Sequence, residues 1–200
     1  EVYVVTLSSH LSGSYNSAEL GRNLYYEKYG EKKIHVVDSE SASCGETQLA
    51  MRIMRYEEAG LSFEETVERI EVFKRKMRTY FVLDSLETLR KNGRLSGVKA
   101  LVASTLNIKP VMKGNRGVIE QSGQAIGVNK ALARMADQIT ADLAHPEKRT
   151  LMITHCNCPE RAEYMRTLME KRASYKDAVI MDTAGISSLY ANDGGVIVTL

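Results

Sequence analysis

The sequence predicts an α/β protein in two parts. Residues 1–78 read as a parallel-sheet α/β domain, and residues 79–200 as an α+β second domain with a mixed or antiparallel sheet. Three observations predict this. Apolar runs at residues 2–7 and 34–37 alternate with segments of helical period, as in a helix-covered parallel sheet. Past residue 79, Gly114-Asn115-Arg116-Gly117 between two extended runs signals a hairpin. Three more apolar runs, at residues 151–155, 178–182 and 195–199, complete the second part. No linker of Pro, Gly or Ser marks the seam.

The elements follow in order. Val2-Tyr3-Val4-Val5-Thr6-Leu7 predicts a strand buried on both faces. Glu1 leads directly into it, so the first sheet is expected to be incomplete at its amino end. Ala18, Leu20 and Leu24 among polar residues predict a helix that ends near Gly30. Residues 34–38 predict a second strand, followed by a hydroxyl-rich turn at residues 38–45. The next helix carries Leu49, Ile53 and Met54 on one face, and Gly60 stops it. Ser62 and Glu65 form a capping-box pattern. Phe63, Val67, Ile70, Phe73 and Met77 then recur at helical spacing, with Glu64, Glu68, Glu71, Lys74 and Lys76 on the expected solvated face.

Residues 80–84 predict a short strand and residues 85–91 a short helix that ends at Asn92-Gly93. A loop at residues 94–97 and a helix to about residue 106 follow. The next strand contains Pro110, which donates no ladder hydrogen bond, so an edge or irregular position is expected there. Leu132, Met135, Ile139 and Leu143 predict a helix. So do Ala162, Met165 and Met169, in a segment opened by Pro159 at a favoured first helical position.

Composition narrows the function. Hydrophobic residues make up 44% and charged residues 26%, close to an ordinary globular protein. A net charge of +2 gives no basis for nucleic-acid binding or an anionic membrane surface. No apolar stretch approaches the roughly 20 residues of a membrane-spanning helix, and no signal-peptide pattern is present. Three cysteines, an odd number, speak against a disulfide scaffold and for a reducing compartment, so the cytoplasm is the expected location.

The stretch richest in chemistry is Ser8-Ser9-His10-Leu11-Ser12-Gly13-Ser14-Tyr15, between the first strand and the first helix. Such a turn lies at the carboxyl end of a strand, where the first turn of a helix offers unpaired N–H groups and a partial positive charge. The loop holds four serines and no lysine or arginine, which suits a weakly charged anion such as a carboxylate. The simpler alternative is that the serines only cap the helix and form turns.

Other clusters carry less. His155-Cys156-Asn157-Cys158 offers three soft ligands but no second pair to close a zinc site, and no metal is expected. His10 could pair with a serine, with Asp38 to orient it, but no Gly-x-Ser-x-Gly elbow is present. Neither a Gly-x-x-x-x-Gly-Lys-Ser/Thr loop nor a Gly-x-Gly-x-x-Gly fingerprint supports nucleotide binding. Arg94, Lys109, Arg116 and Lys130 read singly as solvated charges.

Four segments together resemble the DegV family, fatty-acid-binding proteins that serve as lipid-carrying subunits of bacterial fatty acid kinase. Residues 8–18 resemble its Ser-Ser-x-Leu-Ser-Gly-Thr-Tyr-x-x-Ala loop. Val36-Val37-Asp38-Ser39, with Gly45 beyond, is similar to its second strand turn. Residues 84–95 resemble its Leu-x-x-Leu-x-x-Gly-Gly-Arg segment, and residues 106–111, with Gly117 after the hairpin, its Leu-Asn-Ile-Lys-Pro strand. The order and spacing hold over essentially the whole chain.

The resemblance implies two α/β domains with a long acyl chain buried between or beneath them, the second domain covering the acyl slot. It implies no catalytic residue and no cofactor besides the bound fatty acid. Carried over by position, Ser12 would be the main carboxylate ligand, with Ser9 and the backbone of Gly13 and Ser14 nearby. A kinase subunit is the implied partner, and Arg94 is a candidate for the rim that meets it. Two departures stand out. The family's opening strands, with a Thr-Ser-Gln-Pro segment, are absent. Its His-x-Gly-Pro-Gly stretch is here Tyr190-Ala191-Asn192-Asp193-Gly194, so Tyr190 would replace the histidine as a hydroxyl donor. Two rival readings are an enzyme or sensor that binds a phosphosugar through the Ser loop, and an adaptor that binds no ligand.

Overall fold

The structure, a computed structural model, describes residues 1–95, 107–141 and 143–200. The helix expected up to residue 106, and Ser96 and Gly97 of the loop before it, lie outside the described residues. These form two compact units: Glu1–Met77 with Arg116–Val118, and Arg78–Asn115 with Ile119–Leu200.

The first unit contains strand β1 (Val2–Thr6), helix α1 (Ser14–Tyr29), strand β2 (Ile34–Asp38) and helices α2 (Cys44–Glu58) and α3 (Phe63–Lys76). β1 and β2 pair in parallel from Val2↔Ile34 to Thr6↔Asp38, so both strands end at one edge, where the two hydroxyl-rich turns begin. Val37, Leu49, Ile53 and Ile70 form the buried core, with Tyr3, Val5, Phe73 and Met77 packed against it. The expected capping box closes α3: Ser62 Oγ accepts from the Glu65 N–H at 3.2 Å, and Glu65 accepts from the Ser62 N–H at 2.9 Å.

Burial in this unit departs from the sequence pattern in four places. β1 is not buried on both faces: Val2 is exposed and Tyr3, Val4 and Val5 are half-buried. α1 has no buried residue, and Leu20 and Leu24 are exposed. A two-stranded sheet is too narrow to cover both a strand face and a full helix stripe. Met54 is also exposed, outside the stripe that Leu49 and Ile53 bury. Lys74 is the reverse case: expected in solvent, it is buried, because Thr66, Ile70 and Lys74 share one inward face at i, i+4 and i+8.

The second unit is built on a six-stranded sheet in the order β5-β4-β3-β8-β6-β7. Its strands are β3 (Thr79–Val82), β4 (Ile108–Asn115), β5 (Val118–Ile126), β6 (Thr150–His155), β7 (Asp177–Asp182) and β8 (Val196–Thr199). β3 is antiparallel to β4 and β8, and β6 is antiparallel to β8 but parallel to β7, so the sheet is mixed. Helices α5 (Val128–Ala141) and α6 (Pro159–Glu170) pack on it. They bury Leu132, Met135, Ile139, Ala162, Met165 and Met169 against Val82, Val111, Leu151, Ile153, Val196 and Val198.

Arg116 (φ 48°) and Gly117 (φ 82°) link β4 to β5, both with the positive φ that a two-residue type I′ turn requires. β4 is not an edge strand, because it lies between β5 and β3. Pro110 is tolerated since the β3–β4 pairs run only from Thr79↔Gly114 to Phe81↔Met112, short of it. The short helix α4 (Glu87–Lys91) forms near its expected position, whereas α7 (Gly185–Ala191) was not signalled by periodicity.

Candidate functional site

The Ser loop is built by the carboxyl ends of two parallel strands. Ser8, fully buried, donates through Oγ to the Gly117 carbonyl at 3.1 Å and accepts from the His10 N–H at 3.2 Å. The Ser8 N–H donates to the Ser41 carbonyl at 2.9 Å, and the Ser8 carbonyl accepts from the N–H groups of Leu11 and Ser12. These bonds curl residues 8–12 into a tight turn ahead of α1.

Asp38, at the end of β2, organises the turn. Its Oδ1 accepts from the N–H groups of Ser9 at 3.0 Å and Glu40 at 3.1 Å, and its Oδ2 accepts from Ser9 Oγ at 2.5 Å. Asp38 therefore holds Ser9, rather than orienting His10 for nucleophilic chemistry. The signal was present in the sequence, since parallel neighbours place the residue that ends β2 beside the loop that leaves β1.

α1 starts without a side-chain cap. Its N-cap residue, Gly13, makes no side-chain cap hydrogen bond, and the serine one position earlier serves the first turn instead. Ser12 Oγ accepts from the Ser14 N–H at 3.2 Å, which leaves its own proton uncommitted. Among the described residues, Ser14 Oγ is buried with no hydrogen-bond partner. A Cβ placed on Gly13 would meet none of the described residues within 4 Å. The result, among the described residues, is the amino end of a 16-residue helix with one of its first N–H groups met by Ser12, flanked by one hydroxyl with a proton to donate and one buried without a partner. That arrangement can take a carboxylate. Burial, with the carboxylates of Glu19 and Asp38, pushes the Tyr15 phenol above its ordinary value.

Ser9, Ser12, Gly13 and Ser14 thus come together in the first unit. Tyr190 and Arg94 belong to the second. Tyr190 is half-buried in the last turn of α7. The half-buried Arg94 folds back on its own loop, donating to the Asn92 carbonyl. Sequence reasoning missed two polar centres in this unit. Asn192 (φ 55°) accepts from Thr88 Oγ1 at 3.2 Å and donates to the Ser85 carbonyl at 3.3 Å, joining α4 to the end of α7. Asp84 meets Lys109 Nζ at 2.8 Å and Arg161 at 2.5 Å, and Arg161 also donates to the Gly194 carbonyl at 2.7 Å. Burial raises the Asp84 pKa, but the two cations outweigh it and hold the group below its ordinary value. Both cations pair within the unit, so Lys109 is not the solvated charge that its sequence position suggests.

No group of three His, Cys, Asp or Glu among the described residues is arranged to hold a metal. Buried His155 accepts the Cys158 N–H through Nδ1 at 3.3 Å, while Cys156 and Cys158 point at backbone carbonyls. No helix among the described residues is long and apolar enough to cross a membrane.

A family model described as "Uncharacterised protein, DegV family" matches residues 1–198. The chain belongs to the DegV family. A DegV domain-containing protein of Streptococcus pyogenes serotype M1 is 37% identical over 199 residues, 98% of this chain and 70% of that protein. The crystal structure of a DegV family protein from Ruminococcus gnavus, refined with vaccenic acid, superposes with a TM-score of 0.96 at 53% identity, over 99% of this chain and 71% of that one. The Streptococcus pneumoniae fatty acid kinase (Fak) B3 protein, loaded with linoleic acid, superposes with a TM-score of 0.84 at 31% identity, over 98% of this chain and 70% of that one. The α/β architecture, with a small parallel sheet and a mixed sheet, is that of the DegV fold.

Proposed function

We propose that this protein binds a long-chain fatty acid and presents its carboxylate to a kinase partner, without catalysing a reaction itself. The observation that carries the reading is the amino end of α1, where among the described residues nothing stands over Gly13, the Ser12 proton is uncommitted and Ser14 Oγ is buried without a partner. A carboxylate there would accept from Ser12 and from the helix N–H groups, and Ser14 would gain the partner it lacks. Ser9 supports the loop through Asp38, and Tyr190 is proposed as a further hydroxyl donor. Arg94 is proposed for the rim that meets the kinase. Relatives loaded with vaccenic and linoleic acid support the ligand class, and the fatty acid kinase B3 protein supports the partner.

The affinity would come from the tail. Each buried methylene contributes about 0.8 kcal/mol, so a long chain supplies the binding energy while the loop sets its orientation. A phosphosugar fits less well, because residues 8–15 contain no lysine or arginine to meet a phosphate dianion.

The test compares an 18-carbon fatty acid with the alcohol of the same length by displacement of a fluorescent fatty acid. The proposal predicts saturable binding of the acid and at least roughly tenfold weaker binding of the alcohol, the loss of about one charge-assisted contact. Equal binding of the two, or no binding of the acid, would overturn it.

A further inference from the structure

Among the described residues, Lys74 is the one lysine, arginine, aspartate or glutamate whose side chain is buried, at 8% exposure. A buried ammonium is costly unless it is paired, and a neutral residue on this face of α3 would pack without that penalty. Its position therefore calls for a reason. Lys74 Nζ lies 2.6 Å from Glu71 Oε2 on its own helix, a contact that by itself would balance the charge. The same ammonium lies 3.9 Å from Glu40 Oε1, an ion pair across the unit to the turn that follows β2.

Glu40 sits in left-handed backbone, at φ 50°, a conformation that a long side chain seldom adopts. Its N–H donates to Asp38 Oδ1, the carboxylate that holds both the amide and the hydroxyl of Ser9. The next residue, Ser41, accepts the Ser8 N–H through its carbonyl. The Glu40 Cα also lies 3.3 Å from where a Cβ on Gly117 would fall, beside the carbonyl that Ser8 Oγ engages. One buried cation thus stands behind a strained turn, and that turn fixes both ends of the Ser8–Ser9 pair.

We infer that Lys74 is a positioning residue for the Ser loop: its pull on Glu40 holds the turn at residues 38–41 in the shape that orders residues 8–14, and Lys74 itself touches no ligand. The link to ligand affinity rests on the proposed fatty-acid reading; the link to loop order does not.

The experiment measures amide hydrogen exchange of residues 8–15 in the ligand-free protein, together with fatty-acid affinity, for Lys74→Met, Lys74→Arg and Glu40→Gln. Lys74→Met and Glu40→Gln should speed exchange in residues 8–15 by about two- to fivefold, the scale of one lost ion pair at 3.9 Å, with β6 and α5 unchanged. Affinity should fall by a similar factor, and Lys74→Arg, which keeps the charge, should recover both. Should Lys74→Met fail to fold, Glu40→Gln decides alone, since the Glu40 side chain is a quarter exposed. Unchanged exchange in residues 8–15 overturns the positioning role whatever the ligand does. Faster exchange with unchanged affinity overturns its link to binding. If the wild type binds no fatty acid, the functional reading falls and exchange alone decides the role of Lys74.

Discussion

The Ser9 hydroxyl donates to Asp38 at 2.5 Å, so its single proton is committed within the protein. Ser12, three residues on, accepts one bond and keeps its proton. Two serines of one loop therefore have different chemistry, and only one of them is ready to donate to an anion. Ser12→Ala should weaken fatty-acid binding by about 5- to 150-fold, the roughly 1–3 kcal/mol of a lost bond to a charged group. Ser9→Ala should cost less. Displacement titrations of both variants check the order, and a larger loss for Ser9→Ala would reverse the assignment.

Ser14 makes a prediction with two signs. Its hydroxyl is buried without a partner, so removing it relieves an unsatisfied polar group. Ser14→Ala should leave the ligand-free protein as stable as wild type or slightly more so, and should weaken fatty-acid binding. Urea unfolding with and without ligand reads both signs in one series.

Gly45 lies where the second hydroxyl-rich turn enters α2. A Cβ there would fall 2.0 Å from Ser41 Oγ and 2.6 Å from Ser41 Cβ. Gly45→Ala should destabilise by about 1–3 kcal/mol, as overpacking of a close contact does. Because Ser41 holds the Ser8 amide, it should also speed exchange in the Ser loop.

Glu71 gives a pH dependence. A hydrogen bond from His35 holds its carboxyl down at about 2, opposed by burial and reinforced by Lys74. The folded pKa lies below the unfolded value of about 4.3, so the unfolded state takes up the proton first as pH falls. The stability that Glu71 contributes is full above that unfolded value and is lost as pH drops toward about 2. Subtracting the urea midpoints of Glu71→Gln from those of wild type between pH 6 and pH 2.5 should give a difference that shrinks across this window. A constant difference would contradict the assignment.

Met165, fully buried on α6, represents the core of the second unit. Met165→Ala should cost about 2–5 kcal/mol by leaving a cavity in a packed interior, measurable by urea unfolding.

The sequence made some parts of this molecule readable and hid others, for identifiable reasons. Ala162, Met165 and Met169 declared their burial through i+3 and i+4 spacing, and Pro159 declared the helix start. Gly114-Asn115-Arg116-Gly117 declared the hairpin, and the structure narrows the turn to Arg116-Gly117, with β4 running on through Asn115. Leu20 and Leu24 carried the same helical signal yet are exposed, since periodicity reports a stripe and not whether anything covers it. Lys74 misled in the opposite direction: its charge argued for solvent, while its phase with Thr66 and Ile70 argued for the interior, and the phase prevailed.

The Ser loop was visible as chemistry, but its division of labour was not. Nothing local separates Ser9 from Ser12; the difference comes from Asp38, brought beside Ser9 by strand pairing across 29 residues. Asp84, Lys109 and Arg161 are likewise ordinary surface charges in sequence and one cluster in space.

The most direct test of the central claim is native mass spectrometry of the protein purified from cells, followed by denaturing extraction of whatever it carries. A fatty-acid carrier should show an adduct with the mass of one long-chain fatty acid, released on denaturation, weakened by Ser12→Ala and restored by adding the acid back. A protein that carries no lipid and takes up none from a panel of saturated and unsaturated fatty acids would contradict it.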